Sequence, residues 1–292
     1  MNKLKGTILT LLSAAIFGST AILCKFATAH GSNYGMLTLT RNLFALPFLW
    51  VIVKKSGVGF HLTKEQIKHL IILCIFGSLS TTILLYASYN FIPVGIATTL
   101  HFTYPAIVCA VSILFFKDRA SRGKITSIVL STLGIWMFFT GEVPEKGIYG
   151  IILALASGCT YSFYFLYMSK TKLSHIYTYK LSFYVCLVNS ILMFGYAEFM
   201  DLLTLEMDWQ AWVIQLIISL SISILGISFL QIGIEVVGPS NAAIFSLFEP
   251  ISGIILGILV LNEPFGFKTI LGCTLVILAV AVLSKEERNV AD

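Results

Sequence analysis

Residues 94–116 have the sequence VGIATTLHFTYPAIVCAVSILFF, a run of 23 residues without Asp, Glu, Lys or Arg. The run is followed at once by the charged stretch Lys117-Asp118-Arg119. An α-helix needs about 20 apolar residues to cross the hydrocarbon core of a bilayer. The segment therefore predicts one transmembrane helix, and similar apolar blocks occur along the whole chain.

The composition agrees with lipid as the main solvent. The 292 residues are 57% hydrophobic and 11% charged, with a mean hydropathy of +0.91. Soluble domains carry about 25% charged residues, so this chain has too few to cover a water-facing surface. The net charge of +5 does not indicate nucleic-acid binding, because the basic residues are spread over short loops.

Ten predicted spans account for the apolar blocks. Since backbone polar groups find no water in lipid, each span is expected to be helical. The first span follows Lys3 and Lys5 but is too long for a signal peptide, so we predict that it is retained. The predicted spans are 5–28, 35–53, 69–91, 94–116, 124–141, 147–168, 178–199, 210–235, 240–261 and 267–284.

Lys and Arg are distributed unequally between the two sides of this topology. Fifteen of the 19 fall at the termini and in the loops after even-numbered spans, whereas Lys146 and Lys268 fall on the opposite side. Lys25 and Arg41 lie inside spans. Because cytoplasmic loops are enriched in Lys and Arg, both termini are predicted to be cytoplasmic, in an inner (plasma) membrane.

The two halves of the chain resemble each other. Ser13 corresponds to Ser157 at an offset of 144, and Pro105 corresponds to Pro250 at an offset of 145. These offsets predict a first five-helix repeat over 5–141, a second over 147–284, and a short cytoplasmic tail over 285–292. An odd number of spans per repeat inverts the second copy. Inverted repeats are typical of secondary transporters, which bind substrate where the halves meet.

Five short motifs, in this order, resemble those of EamA-type transporters in the drug/metabolite transporter superfamily. They are Ala14-Ala15-Ile16-Phe17-Gly18, Arg41-Asn42-Leu43-Phe44-Ala45, Tyr104-Pro105, Phe248-Glu249-Pro250 and Leu261-Asn262-Glu263-Pro264. The resemblance covers nearly the whole chain and implies a ten-helix inverted-repeat carrier, often an exporter of amino acids or related metabolites. The chain departs from the family at Lys117-Asp118-Arg119, and Val185 stands opposite Arg41 in the second repeat.

Two ionisable residues inside spans are candidates for substrate binding. Glu249 lies about ten residues into span nine, near the bilayer centre at about 1.5 Å per residue. It could bind a substrate amine or carry a proton, because burial disfavours a charged carboxylate; alternatively it braces the Pro250 kink. Arg41 could bind a carboxylate through two hydrogen bonds, or it could link helices through backbone carbonyls.

Other polar and aromatic residues inside spans complete the predicted site. Tyr86 and Gln231 occupy matching positions and are expected on a cavity wall, since unpaired polar groups in lipid are costly. Tyr161 and Tyr164 share a stripe of span six that could line a cavity or pack against a helix. His101 could join a proton relay or be a packing residue.

Pro105 and Pro250 interrupt matching spans and could act as hinges or as static kinks, because proline removes a helix hydrogen bond.

The sequence carries no motif for catalysis, cofactors or metals. It has no P-loop, H-E-x-x-H or G-x-S-x-G, and its six cysteines lie singly in apolar blocks. We therefore predict a carrier without catalytic residues, cofactor or metal, whose partners are a small-molecule substrate, membrane lipid and protons, as a monomer or homodimer. Efflux of an amino acid or related metabolite, coupled to protons or exchange, is the first hypothesis. Uptake or exchange by the same fold, or a non-transporting receptor or scaffold, are the alternatives.

Overall fold

The computed structural model describes residues 3–118, 120–138, 147–261 and 266–289. All regular structure within these ranges is helical, and none of it is β-strand. Nine helical segments in this part of the chain are long and apolar enough to cross a membrane. We label the helices in chain order: α1 Lys3–Ala29, α2 Tyr34–Lys55, α3 Lys64–Ser88, α4 Val94–Phe116, α5 Arg122–Met137, α6 Gly147–Lys170, α7 Thr178–Phe199, α8 Trp209–Val237, α9 Pro239–Val260 and α10 Phe267–Glu286.

Helix α5 is the segment outside those nine. It has 16 described residues, and the last residues of the predicted span 124–141 lie outside the described part of the chain. Its neighbour α10 packs along it. The all-helical membrane fold that the sequence predicts is thus present, while α5 alone is shorter than the thickness of a bilayer at about 1.5 Å per residue.

Local capping residues fix where several helices begin. Asn33 accepts a hydrogen bond from the backbone N–H of Met36 (2.9 Å) at the start of α2. Thr63 and Gln66 form a capping box at the start of α3, which satisfies backbone donors that a helix end leaves free. This box explains why α3 begins at Lys64, five residues before the span predicted from hydropathy, and residues 89–91 fall in the turn after it.

Four helices are interrupted at matching places. Helices α3 and α8 each contain a π-helical segment, Cys74–Leu79 and Ser219–Gly226. Helix α4 breaks after His101 and resumes at Tyr104, and α9 breaks at Leu247 between Pro239–Ser246 and Phe248–Leu261. Cys74 and Ser219 are 145 residues apart, as are Phe102 and Leu247. π-Helical turns release backbone groups and are frequent at functional sites.

The helix pairings follow the same pattern. Helix α1 packs on α8 and α9, and α6 packs on α3 and α4. Helix α2 packs on α7, and α5 packs on α10. Each helix of the first half has its counterpart five positions later, α1 with α6 and so on to α5 with α10. Exchanging every helix for its counterpart leaves this set of pairings unchanged. The closest approach joins α1 to α9, because a Cβ atom on Gly18 would lie 2.5 Å from the carbonyl oxygen of Glu249 and 2.8 Å from the backbone N of Gly253.

Candidate functional site

The break in α4 lies against the aromatic side chains of α6. Tyr104 is fully buried, and its ring contacts Tyr161 edge-on with centroids 4.7 Å apart. Phe165 closes the group, 5.1 Å from Tyr161 and 5.4 Å from Tyr104 between centroids. Pro105 is the second residue of the resumed helix, so the break places Tyr104 where the two half-helices meet. The result is a rigid aromatic wall in the bundle interior.

His101 lies behind this wall. Its imidazole Nδ1 hydrogen-bonds with the Ser157 hydroxyl (2.9 Å), and its ring is 5.4 Å from that of Tyr161. The side chain is buried, with 7% of its surface exposed. The structure therefore gives His101 a protein partner and a packing position next to the site.

Gln231 and Tyr164 form a buried pair on the same side. Gln231 donates through Nε2 to the Tyr164 hydroxyl (3.4 Å), and its Oε1 accepts from Ser182 (3.1 Å). Ser182 in turn shares a hydrogen bond with Ser228 (3.1 Å). Since buried amides need such partners, Gln231 is satisfied by protein groups and holds the Tyr164 ring in place.

Glu249 lies deep in the bundle, in the first turn after the break in α9. Its side chain keeps partial exposure in that interior position, so the interior is not fully packed around it. The carboxylate makes no hydrogen bond or ion pair with any residue in the described ranges. It lies within electrostatic range of the hydroxyl groups of Tyr89, Tyr104 and Tyr161.

Arg41 lies on α2, and like Glu249 it is within electrostatic range of Tyr161. Its backbone carbonyl accepts from the Ser219 hydroxyl (2.8 Å) at the π-helical segment of α8. Its Nε is buried without a hydrogen-bond partner, and the guanidinium forms no ion pair within the described part of the chain. The charge lies within electrostatic range of Tyr86, Tyr161 and Cys24.

Tyr86 belongs to a second aromatic group at the end of α3. Its ring lies 5.8 Å from that of Tyr34 and 5.7 Å from that of Tyr89. All three side chains are partly exposed. Tyr86 lies within electrostatic range of Arg41, and Tyr89 lies within that of Glu249, so this group is near both charges.

The seven predicted site residues thus separate into two sets. Arg41, Glu249, Tyr86 and Tyr161 face a common region, and Tyr161 lies within electrostatic range of both charges. His101, Gln231 and Tyr164 support it from behind through protein partners. The sequence analysis missed three tyrosines that join the first set, namely Tyr34, Tyr89 and Tyr104. Tyr89 is one helical turn after Tyr86, a spacing that could have identified it.

Contacts at both ends of the bundle join the N-terminal half to the C-terminal half. At the lysine-rich end, Asp118 of the N-terminal half accepts from the Ser240 hydroxyl of the C-terminal half (3.0 Å). The buried Lys124 ammonium, in the same half as Asp118, also donates to that carboxylate (2.8 Å). At the other end, His30 bonds with Asp208 (3.0 Å). Within the described ranges, no group of three His, Cys, Asp or Glu residues could hold a metal ion.

The chain is similar in sequence to a family of transporters. The sequence model of the EamA-like transporter family matches residues 4–140 and again residues 148–285. The chain is 26% identical to the "Uncharacterized transporter sll1319" of Synechocystis sp. over 275 residues, covering 90% of this chain and 83% of the relative. It is 22% identical to an "Uncharacterized transporter" of Archaeoglobus fulgidus over 285 residues, covering 97% and 100%.

A solved crystal structure matches the fold with a TM-score of 0.78 at 13% identity. The match covers 97% of this chain and 98% of that one. The identity is too low to compare side chains, so this likeness concerns the fold alone.

Proposed function

Since the chain belongs to the EamA-like transporter family and is a multi-pass membrane protein, we propose that it exports a small zwitterionic metabolite, an amino acid or a related compound. The substrate leaves the cell across the inner membrane by alternating access. Export is coupled to protons or to exchange. The relatives that bear the name transporter support the general class, and the interior charges support the chemistry of the substrate.

The main support for a zwitterionic substrate is a pair of interior ionisable residues, Arg41 and Glu249. A charged side chain in the middle of a membrane is costly and normally pairs with an opposite charge. Here neither residue pairs with any described protein group, although both lie in the interior beside Tyr161. A zwitterion supplies a carboxylate for the guanidinium and an ammonium for the carboxylate. One ligand therefore offsets both desolvation costs at once.

The tyrosines define the rest of the substrate. The partly exposed rings of Tyr86 and Tyr89 contact each other, and the two hydroxyl groups lie within electrostatic range of Arg41 and Glu249 respectively. Aromatic faces attract cations and pack against apolar groups, so they suit an α-ammonium together with an apolar or aromatic side chain. The supporting pair of Gln231 and Tyr164 keeps the wall rigid, which lowers the entropic cost of binding.

The duplication within the chain supports alternating access as the transport mechanism. The family model matches twice, and the interruptions of α3 and α4 recur 145 residues later in α8 and α9. The helix pairings are also unchanged when each helix is replaced by its counterpart in the other half. We infer ten membrane spans in two repeats, 5–141 and 147–284, with α5 as the fifth span and 285–292 as a cytoplasmic tail. Five spans per repeat invert the second copy, which lets the two halves exchange shapes around a central site.

Alternating access requires the contacts at the two ends to form in turn. The hydrogen bond between Asp118 and Ser240 joins the two halves at the lysine-rich end, which we assign to the cytoplasm by the positive-inside rule. The contact between His30 and Asp208 joins the halves at the other end. Pro105 and Pro250, beside the interruptions of α4 and α9, lie where these helices would bend. Glu249 accepts a proton when the substrate amine departs.

The test is flux through the purified protein in proteoliposomes. Vesicles loaded with single radiolabelled amino acids, in both orientations of a proton gradient, should release an apolar or aromatic amino acid. Its decarboxylated amine and its deaminated acid should be transported poorly, because each satisfies one of the two charges. Equal transport of all three compounds would contradict zwitterion recognition. If the proton gradient drives uptake of the amino acid into the vesicles, the protein is an importer and the proposed export is wrong. Binding of the amino acid without flux would indicate a receptor.

A further inference from the structure

A groove of about 480 Å³ lies on the outside of the bundle, between the first turns of α3 and the middle of α7. Its walls include Leu62, Ile67, Leu70, Ile71, Tyr184 and Val188. Ile67 and Ile71 are exposed large hydrophobic residues on a membrane-spanning helix. The volume is within the range of about 300–1,000 Å³ that small-molecule sites occupy.

The loop before α3 forms a fixed margin of this groove. The Tyr184 hydroxyl donates to the backbone carbonyl of Phe60, and the Lys180 ammonium donates to that of His61 (2.6 Å). The Phe60 ring also packs edge-on against Phe183, with centroids 5.5 Å apart. Because these contacts tie the loop to α7, the groove is preformed rather than created by a ligand.

Two lysines of α3, Lys64 and Lys68, lie within one helical turn of the groove residues Ile67 and Ile71. Lys64 and Lys68 lie on the same face of α3 as Ile67 and Ile71, since residues three and four apart are neighbours on a helix. Both lysines are exposed, and neither forms an ion pair with a described residue. The nearby acid, Glu65, is on another face of the helix and pairs with Lys172 (2.7 Å), so it does not neutralise them.

We propose that the groove binds an anionic phospholipid. One acyl chain lies along Ile67, Ile71 and Val188, and the phosphate contacts the ammonium groups of Lys64 and Lys68. Clusters of Lys and Arg just outside a membrane-spanning helix attract anionic headgroups, which are abundant in the leaflet that faces the cytoplasm. The combination of an apolar groove with basic residues at one end matches both parts of such a lipid.

The position of the groove gives the lipid a mechanistic role. Helix α3 belongs to the N-terminal half of the chain and α7 belongs to the C-terminal half, so a bound lipid touches both halves. Like Asp118 and its partners, it holds the lysine-rich end together. This proposal is independent of the transported substrate, because it depends on contacts outside the bundle interior.

Native mass spectrometry of the delipidated protein tests the proposal by titration with dioleoylphosphatidylglycerol or dioleoylphosphatidylcholine. We expect preferential retention of the phosphatidylglycerol by the wild-type protein. The double variant Lys64→Gln/Lys68→Gln should lose about fivefold in affinity per lysine, about 25-fold in all. The variant Val188→Trp should lose binding of both lipids at this site, because the indole fills the groove.

The double variant Lys5→Gln/Arg122→Gln is the matched control, since it removes two exposed basic residues elsewhere. It should retain wild-type affinity for phosphatidylglycerol. Equal weakening by the control and by Lys64→Gln/Lys68→Gln would overturn the proposal, because charge alone would then account for binding. Unchanged binding in Lys64→Gln/Lys68→Gln and Val188→Trp would overturn it as well.

Discussion

Replacement of Glu249 by Gln separates a binding role from a structural one. The amide keeps the size of the side chain and removes its charge. The Glu249 side chain has no hydrogen-bonding or ionic partner in the described protein, so the variant loses no native contact. In the proposed mechanism Glu249 is protonated when no substrate is bound, so the amide also matches its charge in the ligand-free protein. We therefore expect the thermal stability of the ligand-free protein to be unchanged or higher.

Substrate binding should respond in the opposite way. Removing one partner of a buried, hydrogen-bonded charge pair costs about 2–5 kcal/mol. Glu249 keeps some exposure, so we take the lower part of that range, about 2–3 kcal/mol, which weakens Kd by about 30-fold to 150-fold. The α-ammonium of the substrate loses its counter-charge, whereas its carboxylate still binds Arg41.

The assay is equilibrium binding of a radiolabelled amino acid to purified protein, with the melting temperature measured on the same samples without ligand. Glu235→Gln is the matched control, because Glu235 is exposed near the end of α8 and should change neither quantity. A fall in the melting temperature with unchanged Kd would refute the reasoning. It would mean that Glu249 braces the kink at Pro250 through contacts within the protein.

Three further predictions concern the opposite charge, the closed end and the helix contact. In the same binding assay, Arg41→Gln should abolish binding of amino acids, whereas binding of their decarboxylated amines should persist. Arg41→Lys should recover only part of the affinity, because an ammonium group cannot form the two parallel hydrogen bonds of a guanidinium. Asp118→Asn removes the counter-charge of the buried Lys124 ammonium. Because the Asp118 side chain is 37% exposed, solvent screening limits the cost to about 1–3 kcal/mol. The melting temperature should fall, and Asp118→Asn/Lys124→Met should restore much of it, whereas equal falls in both variants would exclude the ion pair as the cause. Gly18→Ala puts a Cβ 2.5 Å from the carbonyl oxygen of Glu249 and should reduce both folding yield and flux. The control Gly195→Ala, with no atom within 4 Å of its Cβ, should stabilise the helix by about 0.5–1 kcal/mol. An equal loss of yield in the two variants would contradict the close contact.

The asymmetry between the repeats concerns the site as well as the fold. Arg41 has Val185 as its counterpart in the second half, and Glu249 has Tyr104 as its counterpart in the first. Each half therefore brings one charge, and the other half supplies a neutral residue opposite it. Two identical halves would place like charges in the interior, which would repel and cost more to bury. In the proposed site, divergence at these two positions provides the two opposite charges that a zwitterion requires.

Much of the architecture follows from the sequence because hydropathy is a property of contiguous residues. Within the described residues, nine of the ten predicted spans correspond to helices that meet the length and composition of a membrane crossing, and 94–116 and 178–199 coincide with α4 and α7. The boundary of α3 differs because a capping box, rather than apolarity, decides where that helix starts. The offset of 145 residues was also visible in the sequence, although the matching π-helical segments were not.

The composition of the site was decided by tertiary structure. The sequence placed Glu249, Arg41, His101 and Gln231 inside spans, but it could not distinguish a satisfied polar group from an unpartnered one. His101 is satisfied by Ser157, 56 residues away. Such pairings depend on how each helix is rotated about its axis and on the register between helices that are distant in the chain. The sequence determined that lipid surrounds this protein, and packing between helices determined which of the interior polar groups have partners within the described protein.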